Sequence, residues 1–149
     1  MELKGQLLIE NGRVRAALEP LRAAVAQAPD EPQIRTLLGR ALVATEDPAL
    51  NDEAIRELEL AAHQDPDSPF TWHQLGMAYH NRGDEGMASL ASAERAALAG
   101  DFPSLVGNAQ RASEVLDKGS PAWLRAQDLL VLAESHRADY ERAQRRRLQ

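Results

Sequence analysis

The clearest pattern of apolar and polar positions lies between Ser68 and Ala88, in SPFTWHQLGMAYHNRGDEGMA. Trp72, Leu75, Gly76 and Tyr79 recur at intervals of three and four, so they share one face of a helix predicted over 69–82. Gly76 removes a side chain from that face and lets a partner helix approach closely, at about 1 kcal/mol in helix propensity. Gly83 then provides a turn, and Ala88 places a small residue on the next helix.

The pattern recurs upstream. Gly5 and Gly39 take the Gly76 role and stand 34 residues apart, and Gly12 takes the turn. Ala17, Leu21, Ala24 and Pro29 are matched 37 residues on by Ala54, Leu58, Ala61 and Pro66. The three extra residues fall within TEDPALND, Thr45 to Asp52. That stretch has the composition of a turn, so a change of length there is expected to cost little. At APDEP (Ala28 to Pro32) and DPDSP (Asp65 to Pro69), Asp or Ser is expected to cap the coming helix, with proline in its first turn.

Beyond Ala88 the pattern weakens, with Ser92, Arg95 and Gly100 where an aromatic, an alanine and a proline are preferred. Some markers survive. Gly83-Asp84 and Gly100-Asp101 lie 17 residues apart, half of 34, and Ser120-Pro121-Ala122-Trp123 echoes the stretch from Ser68 to Trp72. Eight helices are predicted, near 2–11, 14–27, 32–44, 51–64, 69–82, 85–99, 103–116 and 121–146, with no strand signal of note. In the last helix Trp123, Ala126, Leu130 and Ala133 form the stripe expected to close the core.

This order of residues, W-x2-L-G-x2-Y followed by a glycine turn and a small alanine, with a period of 34, resembles the tetratricopeptide (TPR) repeat. The resemblance implies an all-α fold, a right-handed α-solenoid of about four helix pairs, or eight antiparallel helices. Residues 1–149 then form a single solenoid: repeats of about 1–31, 32–68 and 69–102, a degenerate repeat 103–119, and a long capping helix 120–147. The first helix of each pair would line a concave groove, with positions off the packing stripe facing a ligand. Those positions are Gln6, Gln33, Thr36, Arg40, Phe70, His73, Met77, His80 and Asn81. Amides, one cation, an aromatic ring and a methionine suit an extended peptide or a partner helix. One arginine without a lysine does not resemble the multi-lysine clamp of chaperone-tail-binding TPRs.

Two segments carry a narrower resemblance. GMASLASAERAALAGDF (Gly86 to Phe102) and GSPAWLRAQDLL (Gly119 to Leu130) are similar to the C-terminal TPR region of BepA-type bacterial zinc metallopeptidases. In those proteins an H-E-x-x-H protease domain comes first, and that domain is not in this chain. The resemblance implies the non-catalytic part of a periplasmic protease in outer-membrane protein quality control. Its partners would be its own protease domain or outer-membrane assembly proteins. A free-standing TPR adaptor or co-chaperone, cytoplasmic rather than periplasmic, is the alternative within the same class.

Composition and charge narrow the chemistry. A net charge of −6 gives no general footprint for nucleic acid, and no apolar run approaches the roughly 18 residues that a membrane-spanning helix needs. The absence of cysteine excludes disulfides, thiolate zinc sites and a cysteine nucleophile. The start, MELKGQLLIENGR, lacks the basic and apolar segments of a signal peptide and begins inside a helical pattern, so it reads as the continuation of a longer protein. No H-E-x-x-H, G-x-S-x-G, P-loop or G-x-G-x-x-G segment occurs, and the chain reads as non-catalytic and free of cofactors. His73 and His80 lie seven residues apart on one helix face with Met77 between them. A metal-binding or enzymatic domain built on that face is the alternative from another class, and it would need further ligands from other helices. Arg137, Arg142, Arg145, Arg146 and Arg147 crowd the end of the last helix, where the helix dipole favours cations.

Overall fold

The computed structural model describes residues 13–149. The helix predicted near 2–11, and with it Gln6, Gly5 and Gly12, lies outside the described residues. Seven helices follow: α1 (Val14–Gln27), α2 (Pro32–Ala44), α3 (Asn51–Gln64), α4 (Pro69–Arg82), α5 (Glu85–Ala99), α6 (Phe102–Val115) and α7 (Pro121–Arg147). Five of them begin and end where the apolar periodicity placed them. The sixth starts one residue early, at Phe102, and the seventh extends one residue further. No strand occurs among the described residues. Two compact units divide the chain, Met1–Asp84 and Glu85–Gln149.

In the first unit, the residues matched across 37 positions are buried at both sites: Ala17 and Ala54, Leu21 and Leu58, Ala24 and Ala61. With Leu38 and Leu42 they make the floor on which α1 to α4 pack. Gly39 allows the closest approach. A β-carbon there would stand 2.5 Å from Leu58 Cδ2 and closer still to Cγ, so α2 meets α3 at van der Waals distance only because that carbon is missing. On α4 the buried face is broader than the predicted stripe. Leu75 and Tyr79 are buried with Thr71, Gln74 and Ala78, while Trp72 and Gly76 are half-buried.

The half-buried Trp72 ties its helix to the preceding turn, donating from Nε1 to the Pro66 carbonyl at 2.7 Å. Arg35, 37 residues earlier, does the same from Nε to the Pro29 carbonyl at 3.2 Å. A guanidinium thus replaces an indole at one repeat boundary while the bond is retained. Ion pairs join the helices around this core. Arg22 on α1 grips Glu53 on α3 through Nε at 2.8 Å and Nη2 at 2.7 Å. Arg35 meets Glu57 at 2.7 Å, and the Tyr79 hydroxyl donates to Glu59. Burial and the Glu59 carboxylate raise the Tyr79 hydroxyl far above its usual range, whereas Arg22 holds Glu53 below its own.

Capping departs from expectation at one boundary. Ser68, Asp101 and Ser120 each accept from the backbone N–H three residues on, as N-caps do. At α2 the cap position is Glu31, with no side-chain cap bond, so Asp30 does not cap and Pro32 opens the helix alone. Within the insertion, Pro48–Leu50 forms a short 3-10 turn, Asp47 accepts from the Ala49 N–H, and Arg15 on α1 pairs with Asp47 at 3.0 Å.

The second unit is built on small residues. Its core is Leu90, Ala93 and Ala96 of α5, Leu105, Ala109 and Ala112 of α6, and Ala126, Leu129 and Ala133 of α7. The stripe predicted on α7 is corrected in one position: Leu129 is fully buried, and Leu130 packs against the rim with Ala122. A helix face three to four residues wide admits both neighbours, and the packing of α5 and α6 against α7 selects between them. Glu94 is buried and held by Arg125 at 2.5 and 3.3 Å. Gly83 and Gly100 end their helices identically, with left-handed φ of 82° and 70°. In each case the following Asp N–H reaches back five residues, to Tyr79 and Ala96 respectively, at 2.9 Å. The basic end of α7 pairs along its own surface, Arg137 with Glu134 and Arg142 with Asp139.

Candidate functional site

In the first unit α2 and α4 run side by side, and their facing residues make a seam. Thr36 is 5% exposed, and its hydroxyl is shared between Thr71 Oγ1 at 2.8 Å and the Pro32 carbonyl at 3.0 Å. Two small hydroxyl side chains let the helices approach here. Thr36, expected in the groove, thus packs the two helices together and has its hydroxyl already hydrogen-bonded, while it also lines a cleft along the seam.

Two clefts open along this seam. The smaller, about 250 Å³, is lined by Pro32, Gln33, Thr36, Leu37, Asp65, Ser68, Phe70 and Thr71. The larger, about 530 Å³, is lined by Arg40, Val43 and Ala44 of α2, Gln74, Met77 and Asn81 of α4, and Glu46, Pro48 and Asn51 of the insertion. Gln33, Arg40 and Ala44, like Phe70, Gln74, Met77 and Asn81, follow one another at helical intervals, so each set shares a face. The Arg40 guanidinium lies over the Phe70 ring, 5.8 Å from its centroid, and links the residues of the two clefts.

Of the nine residues expected to face a ligand, Gln33, Thr36 and Phe70 line the smaller cleft and Arg40, Met77 and Asn81 the larger, while Gln6 lies outside the described residues. His73 and His80 are exposed on α4, and neither lines these two clefts. Among the described residues, no three His, Cys, Asp or Glu side chains gather as metal ligands would.

Sequence reasoning missed Gln74, and with it the contribution of the insertion. Gln74 lies four residues from Phe70 and three from Met77, so its spacing carried a signal that the packing stripe obscured. The insertion was read as a neutral turn. Instead Glu46 adopts a left-handed φ of 56°, the one positive φ outside glycine among the described residues, and the turn closes an end of the larger cleft.

A further cleft of about 910 Å³ lies in the second unit, lined chiefly by Phe102, Pro103, Val106, Leu130, Ala133 and Tyr140. There the Phe102 and His136 rings stack 3.7 Å apart, 6° from parallel. No helix among the described residues is long and apolar enough to cross a membrane.

The tetratricopeptide repeat family model matches residues 8–75, just under half of the chain. The fold is similar to that of a thermophilic TPR protein from Thermus thermophilus. That match has a TM-score of 0.58 and 20% identity, covering 85% of this chain and 78% of the other. No curated protein matches the chain. With helices and no strand among the described residues, and with this likeness, the chain has the TPR type of α-solenoid fold.

Proposed function

We propose that the α2–α4 face of the first unit is a groove for a peptide or partner segment, and that the chain acts as a non-catalytic interaction scaffold. The observation that carries this reading is the seam itself, where two clefts share one face and bring together Gln33, Phe70, Arg40, Met77 and Asn81. Polar groups set beside the apolar side chains of Val43, Met77 and Phe70 suit a bound peptide. Met77 gives the test, being 42% exposed and free to change without disturbing the core. Peptides selected from a random dodecapeptide display library on the full chain should bind the Met77→Glu variant at least tenfold more weakly. Val115→Glu, on the exposed surface of the second unit, should leave them unaffected. Equal binding to all three proteins would defeat the groove reading.

Within that reading, the narrower role is the accessory region of a periplasmic zinc metallopeptidase of the BepA type. It rests on the segments Gly86 to Phe102 and Gly119 to Leu130. An H-E-x-x-H segment encoded upstream in the same gene is the expected finding. A stop codon directly before Met1 would make the chain a free-standing adaptor instead.

A further inference from the structure

Gln74 is 8% exposed, yet its amide makes no hydrogen bond among the described residues. No side-chain nitrogen or oxygen among those residues is both sealed from solvent and unpartnered, so the amide keeps its access through the larger cleft, which it lines. A leucine at this position would bury the same volume with nothing left unsatisfied. Stability alone therefore gives no reason for the amide. Arg40 has a parallel situation. Its guanidinium forms no ion pair among the described residues and is oriented by the Phe70 ring, at the edge of the same cleft.

The chemistry of the two groups is complementary. A glutamine amide offers one acceptor and two donors, the counterpart of a main-chain peptide group. A guanidinium fork takes a carboxylate in its plane. Val43 and Met77 add apolar side chains to the same lining, in which Glu46 is the other charged residue. We propose that this cleft reads an extended peptide segment: Gln74 pairs with one main-chain peptide group, and Arg40 takes the carboxylate of a neighbouring Asp or Glu side chain. The proposal rests on the groove reading above and adds the class of ligand. The carboxylate belongs to an internal side chain because the smaller cleft continues along the same face past Phe70, so the bound chain runs on and does not end at Arg40.

The test uses the dodecapeptides selected on the full chain, resynthesised with a fluorophore and titrated by anisotropy. The selected set should be enriched in Asp or Glu beside an apolar residue. Replacing that acid by its amide should weaken binding to the wild-type chain about tenfold and add nothing to the loss already shown by Arg40→Gln. N-methylation of one main-chain nitrogen should cost about tenfold on the wild-type chain and nothing on Gln74→Leu. Gln74→Leu should also melt no lower than wild type, an outcome that a packing role for the amide would not give. A Gln74→Leu variant that binds as tightly as wild type, or melts several degrees lower, overturns the proposal and leaves the groove standing. So does a selected set without acidic enrichment. A library that yields no binder removes the groove and this proposal together.

Discussion

The two units solve the same packing problem with different side chains. In the first, large aliphatic residues fill the space between helices: Leu21, Leu38, Leu42 and Leu58 are all fully buried, and one absent β-carbon, at Gly39, gives Leu58 its room. In the second, six of the nine core residues are alanines, and Leu90, Leu105 and Leu129 supply the bulk. The family model covers much of the first unit and none of the second. Helix hairpins thus survive where the repeat signature is lost. A helix needs a small residue at its crossing point and an apolar one beside it, and Ala109 beside Leu105 meets that need as well as glycine beside leucine. The clefts differ in the same direction. Polar groups from α2, α4 and the insertion line the first, whereas Phe102, Val106 and Leu130 dominate the second.

Four glycine substitutions bear on this contrast, beginning with the largest effect. Gly39→Ala should overpack the α2–α3 contact and cost on the order of 1–3 kcal/mol, because its new carbon meets buried Leu58 with no space to yield. Gly86→Ala should cost less, since a β-carbon there meets the half-buried Leu116 side chain at 2.9 Å, which can rotate. Thermal melts of the two variants compare the units directly. Equal losses would mean that the second unit is packed as tightly as the first.

Gly83→Ala and Gly100→Ala test the feature that the units share. Both glycines hold a left-handed φ with open space around the missing side chain, so each change should cost about 1 kcal/mol from backbone strain alone. Unequal costs in denaturant titrations would show that the two caps are not equivalent.

Glu53→Gln should lower stability at neutral pH by about 0.5–1 kcal/mol, the range of a partly exposed pair. The sign with pH follows from the depressed native carboxyl. The contribution of the Arg22–Glu53 pair is fully present above the ordinary glutamate range, and it disappears as pH falls through the lower native value. Melting temperatures of wild type and variant should therefore converge in acid. A gap that stays constant below about pH 4 would assign the loss to packing.

The smallest effect is expected at the end of α7. No residue after Ala133 is buried, so ending the chain after Arg142 should change stability by no more than about 0.5 kcal/mol. Calorimetry showing a larger loss would give the arginine-rich end a structural role that its surface ion pairs do not suggest.

The apolar spacing determined the helices, because stripes at intervals of three and four set between turn residues have one regular solution, most plainly on α4, which Ser68-Pro69 opens and Gly83 closes. It also determined the 37-residue register that buries Leu21 with Leu58 and binds Arg35 and Trp72 to matching carbonyls. Neighbour positions were decided by tertiary structure. Leu129 and Leu130 present equal hydrophobicity to a reading of the chain, and only the packing of α5 and α6 against α7 buries the first. Thr36 and Gln74 are both polar residues on groove-side helices. One spends its hydroxyl on Thr71 across the seam, and the other is left facing a cleft. Whether a polar side chain finds its partner is settled between residues as far apart as Thr36 and Thr71, 35 positions along the chain, so no local pattern reports it. For the same reason the insertion read as a neutral turn, and only the folded seam between α2 and α4 makes it a wall.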